Sequence, residues 1–228
     1  DEQGVKRFFL SNNSSRNVSQ YVKKLAGMGI PATADDVLLS THDCLAWLHK
    51  NNVTKTYCVG TEGMCQMLES EGISTRSLNP QYVVLGYDTE ATYEKLETAS
   101  IHLHAGVPLM ASHPDMVCPS PDGGLPDVGA FLALFKATTG AEPVHISGKP
   151  NAGMILHRIE ALGLKPEESC SVSREEPEFQ LVIVVAKLTN ESHGSVPWVT
   201  LSSSPSLTPP KSESATFQRV HDRFSSQF

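Results

Sequence analysis

The apolar positions along this chain fall into short runs separated by polar turns. Residues 5–10 form one such run, with two phenylalanines and a valine, and the pattern predicts a buried strand. It ends at Ser11-Asn12-Asn13-Ser14-Ser15, a cluster suited to a turn followed by a helix N-cap. Val18, Tyr21, Val22 and Leu25 then recur at helical spacing, and Gly27 and Gly29 close that helix. Asp35 and Asp36 are predicted to open a second helix, with Val37, Leu38, Leu45 and Leu48 on its apolar face.

From Val53 the alternation restarts. Strands are predicted over 56–59, 82–86, 108–112 and 144–147, and helices over 63–71, 92–105, 128–139 and 152–162. Asp122-Gly123-Gly124 marks a turn before the third of these helices, and residues 181–186 make another buried strand. Strands alternating with helices predict an α/β architecture with a largely parallel sheet. After that strand the pattern disappears. The stretch Ser202-Ser203-Ser204-Pro205-Ser206-Leu207-Thr208-Pro209-Pro210-Lys211-Ser212-Glu213-Ser214 is rich in serine and proline and is expected to be disordered or loosely packed.

The 228 residues suffice for one large domain or two modest ones, and 39% hydrophobic content is enough for a real core. The net charge of −7 argues against nucleic acid and anionic membranes as partners, since both select basic faces. It leaves room for a small phosphorylated ligand, which needs only a local cluster of donors. No apolar run reaches about 18 residues, the length a membrane span requires. Five cysteines, Cys44, Cys58, Cys65, Cys118 and Cys170, are odd in number and contain no Cys-x-x-Cys pair. They read as reduced thiols of a cytoplasmic protein. The sequons beginning at Asn12, Asn13, Asn17 and Asn190 then read as chance.

Two places share the order strand, polar turn, helix: Phe8-Phe9-Leu10-Ser11-Asn12-Asn13, and His145-Ile146-Ser147-Gly148-Lys149-Pro150-Asn151. In parallel α/β sheets ligands bind beyond the carboxyl ends of strands. A hydroxyl and free backbone N–H groups before a helix suit an anion, and a lysine at a second such turn adds a mobile positive charge. Taken singly, each has a plainer reading: Ser-Asn-Asn-Ser as a helix cap, Gly-Lys-Pro as a surface turn, His113 as a surface-loop histidine. Gly148-Lys149 is not a P-loop, because the preceding glycine and following Ser/Thr are missing.

Together these blocks resemble the haloacid dehalogenase (HAD) superfamily, subfamily IIA, the p-nitrophenylphosphatase / phosphoglycolate phosphatase family. Leu10-Ser11-Asn12-Asn13-Ser14-Ser15-Arg16 resembles its second motif, and Gly148-Lys149-Pro150 with Gly153-Met154 its third. Between them, Val83-Val84-Leu85-Gly86-Tyr87-Asp88 with Tyr93-Glu94-Lys95-Leu96, then Ala111-Ser112-His113-Pro114-Asp115, then Pro121-Asp122-Gly123-Gly124, are similar to the family's cap. The resemblance implies a Rossmann-like core with a parallel sheet, residues 1–52 and 144–190, and an inserted C2-type α/β cap, residues 53–143. Residues 191–228 remain as an irregular tail. It further implies phosphomonoester hydrolysis through an aspartyl-phosphate. Ser11, Asn12 and Asn13 would hold the phosphoryl group, and Lys149 would neutralise charge. The His113-Pro114-Asp115 loop would read the leaving group of a small phosphorylated metabolite. Mg²⁺ is the expected cofactor, and a homodimer through the cap is an expected assembly. Ser11 and Lys149 are expected at the C-terminal ends of two strands of one sheet.

The family's Asp-x-Asp-Gly-Thr, which supplies nucleophile and general acid/base, does not occur in these residues and is expected N-terminal to Asp1. Its Gly-Asp-x-x-x-x-Asp, expected near residue 173, is replaced by Ser173-Arg174-Glu175-Glu176-Pro177, as a frameshift or alternative splice would leave it. No metal ligands can therefore be named. The alternative reading is a catalytically inactive module that binds only an anion, or a partner through its cap.

Overall fold

A computed structural model describes residues 5–163, 169–176 and 179–187. The irregular tail and the sequon at Asn190 lie outside the described residues. Strand β1 (Val5–Ser11) leads through a largely buried polar turn into α1 (Val18–Gly27). The cap of α1 is Asn17, whose side chain accepts the Gln20 N–H while the Gln20 side chain accepts the Asn17 N–H. This reciprocal pair satisfies two of the donors that a helix start leaves open.

The second predicted helix begins later than its apolar pattern suggested. Ala34–Asp36 is a single 3₁₀ turn, Val37–Leu39 is a strand (β2) parallel to β1, and α2 runs Ser40–Lys50. Three consecutive buried apolar residues suit a strand covered on both faces, and so short a run cannot be told from helix by periodicity. In β1 the alternation is clean. Phe8 and Leu10 pack with Leu38 and Met154 on one face, while Phe9 packs with Tyr21 and Leu25 of α1 on the other.

The remaining predicted elements occur close to their expected places. These are β3 (Thr56–Val59), α3 (Glu62–Ser70), β4 (Tyr82–Leu85), α4 (Tyr93–His104) and β5 (Leu109–Ala111). A small hairpin follows, β6 (Val117–Cys118) and β7 (Leu125–Pro126), turning at Asp122-Gly123-Gly124. Then come α5 (Val128–Thr139), β8 (Pro143–Ile146) and α6 (Gly153–Ala161).

Strands β3-β4-β5-β8 form one parallel sheet in that order. Cys58, Val84 and Met110 point to the α2/α3 side, whereas Tyr57, Val59, Val83, Leu85 and Leu109 point towards Phe135 of α5 and Leu103 of α4. The strand Pro143–Ile146, expected to return the chain to the first sheet, is instead the fourth strand of this one. A helical crossover such as α5 places the next parallel strand beside the preceding one, and β8 follows that rule.

The first sheet has the order β2-β1-β10-β9, with β9 (Ser169–Glu176) and β10 (Phe179–Lys187). Only β1 and β2 are parallel there; β10 runs antiparallel to both β1 and β9. Two residues separate β9 from β10, a spacing that permits a hairpin and forbids a parallel crossover. Among the described residues no helix is long and apolar enough to cross a membrane.

Phe135 is fully buried against the second sheet. Phe135→Ala is expected to lower stability by about 3–5 kcal/mol, read as a shift of the urea unfolding midpoint. An unchanged midpoint would show that α5 does not pack as described.

Candidate functional site

The ends of the two sheets meet at one side chain. Asn12 follows β1 directly and is only 4% exposed. Its Oδ1 accepts the Lys149 N–H at 2.7 Å, and its Nδ2 donates to the Lys149 carbonyl at 3.0 Å and to Asp115 Oδ2 at 3.0 Å. The Asn12 carbonyl accepts the Ser40 hydroxyl at 2.7 Å. One amide thus ties the loop after β1 to the turn after β8 and to the loop after β5. Donor and acceptor at Lys149 face the matching ends of the amide, which fixes its orientation.

The expectation that Ser11 and Lys149 end two strands of one sheet is corrected here: Ser11 ends β1 in the first sheet, and Lys149 follows β8 in the second. The loops converge because the sheets abut end to end, with Asn12 as the junction.

Ser11 is buried and lies on the α1 side of β1, as Phe9 does. Its hydroxyl accepts the Asn13 N–H at 3.2 Å and is hydrogen-bonded to the Tyr21 phenol. Burial pushes the Tyr21 phenol up from its ordinary pKa, and the Ser11 bond opposes that shift. Asn13 makes an Asx turn, its Oδ1 accepting the Ser15 N–H at 3.0 Å and the Ser15 hydroxyl at 2.6 Å.

Gly148 has φ +72°, the left-handed region. A Cβ there would lie 2.7 Å from Asn12 Oδ1, 2.9 Å from the Ser112 carbonyl and 3.0 Å from Ser40 Cβ. The Gly148 N–H donates to Asp43 Oδ2 at 2.9 Å. Asp43, buried in the first turn of α2, was not singled out in the sequence, because an acid near a helix start is ordinary.

The His113-Pro114-Asp115 loop divides into two roles. Asp115 reaches Asn12, whereas the His113 ring is wholly buried and bonded at both nitrogens. His113 Nδ1 lies 2.9 Å from Ser112 Oγ, and Nε2 lies 2.9 Å from Asp127 Oδ1. Ser112 Oγ lies 3.0 Å from Ser14 Oγ, which accepts the Tyr87 N–H at 2.8 Å. Asp127 also accepts the Val128 N–H at 2.7 Å and caps α5. As a carboxylate Asp127 can only accept, so a neutral His113 carries its proton on Nε2. Nδ1 then accepts from Ser112, and Ser112 accepts from Ser14. Pro114 is half-buried in this loop. A Cβ on Gly129 would come within 2.7 Å of the Pro114 carbonyl, so α5 starts hard against it.

Two further blocks of the sequence pattern also meet. Lys95 Nζ lies 3.0 Å from the buried Asp88 and 3.1 Å from the Gly60 carbonyl. Glu175 and Glu176, in the segment that replaces the expected Gly-Asp-x-x-x-x-Asp, are strand residues of β9 paired with Gln180 and Phe179. Their side chains lie outside the described residues.

The loops at the ends of the two sheets thus meet through Asn12, Asp115 and the Lys149 backbone in an α/β protein. The chain belongs to the haloacid dehalogenase-like hydrolase family. That family's sequence model matches residues 1–74. The 5'-nucleotidase YutF of Bacillus subtilis is 31% identical over 174 residues, which cover 75% of this chain and 67% of that protein. An acid sugar phosphatase of Staphylococcus epidermidis is 31% identical over 74% of this chain and 65% of its own length. Among solved structures, a 4-nitrophenylphosphatase from Thermotoga maritima superposes with a TM-score of 0.69 at 34% identity, covering 74% of this chain and 66% of that one. The chain therefore spans about two thirds of the length of the relatives it matches.

Gly148→Ala is expected to destabilise the junction by at least about 1–2 kcal/mol from the left-handed backbone alone, with the close contacts adding to it. Thermal unfolding of the variant measures this, and a midpoint equal to the parent's would contradict the described packing.

Proposed function

We propose that this chain carries the phosphate-holding and charge-neutralising parts of a phosphomonoester hydrolase of the p-nitrophenylphosphatase / phosphoglycolate phosphatase type. The observation that carries the reading is the paired Asn12–Lys149 hydrogen bond. It brings the second-motif and third-motif loops together across 137 residues of sequence.

In this reading the Ser11 hydroxyl and the Asn12 and Asn13 backbone hold phosphoryl oxygens. Lys149 neutralises the charge that develops as an aspartyl-phosphate forms, and most of the rate enhancement is electrostatic. Asp115 and Pro114 flank the leaving group, and His113 fixes their loop. Substrates are small phosphorylated metabolites; the similarity to sugar phosphatases, a nucleotidase and nitrophenylphosphatases supports that class.

Mg²⁺ serves the family, and it takes near-octahedral oxygen ligands. The described residues at this junction do not fit it. The segment after Val172 forms a hairpin strand in place of a ligand loop, and the family's Asp-x-Asp-Gly-Thr does not occur in these residues. No step is routed through the ion. The same hairpin, and the lack of Asp-x-Asp-Gly-Thr within these residues, favour a second reading of the 228-residue polypeptide: an anion-binding module that does not turn over.

The purified 228-residue protein is expected to show no hydrolysis of p-nitrophenyl phosphate, with or without Mg²⁺. A chain carrying both acidic motifs should be active, and Lys149→Ala should lower its rate by about two to three powers of ten, the scale for losing one preorganised electrostatic group. Turnover by the 228-residue protein that survives both Lys149→Ala and Ser11→Ala would place the site elsewhere.

A further inference from the structure

We propose that His113, Asp115 and Asp127 form a binding site for a divalent transition-metal ion such as Zn²⁺, Co²⁺ or Mn²⁺, beside the phosphate loop and distinct from any Mg²⁺ site. One ligand atom from each of the three residues lies within 4.8 Å of the others. Ligands about 2.0–2.2 Å from one ion sit about 2.9 Å apart when adjacent in an octahedral set and about 3.4 Å apart in a tetrahedral one. The His113 Nε2–Asp127 Oδ1 separation of 2.9 Å is that of their N–H···O bond, so an ion replacing that proton takes a slightly wider Nε2–Oδ1 spacing in a tetrahedral set, with a small inward movement of the half-buried Asp115 completing it.

A second observation is that each of the three groups is held by a neighbouring hydrogen bond. Metal-binding histidines are oriented by a bond at the other ring nitrogen, and metal-binding carboxylates are themselves hydrogen-bonded. Here Ser112 Oγ meets His113 Nδ1 and Asn12 Nδ2 meets Asp115 Oδ2, while the Val128 N–H meets Asp127 at Oδ1, the oxygen that also faces His113. The proton account closes without net release. The proton on His113 Nε2 shifts to Nδ1 and is donated to Ser112 Oγ, whose own hydrogen turns to Ser14 Oγ at 3.0 Å, so the Ser14 hydrogen gives up its bond to Ser112. Nε2 is then free to bind the ion.

The donor set decides the class of ion. An imidazole with two carboxylates suits borderline transition metals, whereas Mg²⁺ and Ca²⁺ prefer oxygen ligands alone. Three protein ligands leave at least one position open to water or to a ligand oxygen. Because Asp115 is bonded to Asn12, an ion here would stiffen the same junction that holds Lys149.

The test uses the full 228-residue protein, stripped with a chelator and titrated with Co²⁺ by visible absorption and with Zn²⁺ by calorimetry. One equivalent should bind, millimolar Mg²⁺ should not displace it, and His113→Gln should abolish binding. Asp115→Asn should weaken binding by at least about tenfold, the lower scale seen when a supporting group around a metal is lost, with an unchanged circular dichroism spectrum. If His113→Gln unfolds the protein, Asp115→Asn decides, because Asp115 is half-buried and the substitution keeps its shape. Absence of stoichiometric uptake, equal affinity in Asp115→Asn, or displacement by Mg²⁺ would overturn the proposal. Metal uptake is read without phosphate, so this result stands apart from the hydrolysis test.

Discussion

Everything at the meeting of the two sheets depends on one buried amide. Asn12 offers one acceptor and two donor hydrogens, and the Lys149 backbone and Asp115 engage all three. Neither an aspartate nor a leucine could do this: the first has no donor when ionised, and the second would leave the Lys149 N–H and carbonyl without a partner. A buried group left in that state costs about 1–3 kcal/mol. Other features follow from the closeness this amide imposes. Gly148 must lack a side chain because Asn12 Oδ1, Ser112 and Ser40 crowd it, and Asp43 must accept the N–H that this tight turn presents.

A second tie runs parallel to the first. Tyr87 N–H, Ser14, Ser112, His113 and Asp127 form an unbroken buried chain from the loop after β1 to the start of α5. Each group in it has a defined hydrogen direction once Asp127 is a carboxylate. Buried networks of this kind tend to be all-or-none, since breaking one link leaves the next group unsatisfied in a low-dielectric setting. The two ties share the segment 112–115, so that short loop reports to both the helix α5 and the loop after β1.

Much of this was legible in the sequence, and the exceptions have physical causes. Helices with a full amphipathic period, such as Val18–Gly27, and strands followed by glycine turns fell where the pattern put them. Val37–Leu39 did not, because three apolar residues carry no period. The fourth strand of the second sheet was read as core because a strand's own sequence does not say which sheet it joins. Ser11, Asn12, Asn13 and Lys149 could be singled out from local turn chemistry. Their supporters, Tyr21, Asp43, Ser112 and Asp127, could not: their roles come from contacts as far as 105 residues apart in the chain, and locally each looks like an ordinary cap or core residue.

An acidic chain and the anionic ligand proposed for it are reconciled by where the charges stand. Charges interact across water over about 8 Å at physiological ionic strength, so the net −7 matters less than what stands at the turn itself. Two carboxylates do stand there, Asp43 and Asp115. Each accepts a hydrogen bond from the loops that would receive phosphate, Asp43 from Gly148 and Asp115 from Asn12. An acceptor bonded in this way pulls its donor into a fixed position, so the acids act as clamps on the turn bearing Lys149. Removing Asp43 or Asp115 would lower local negative charge and yet loosen the geometry that an anion requires. At this junction position therefore outweighs the sign of the charge.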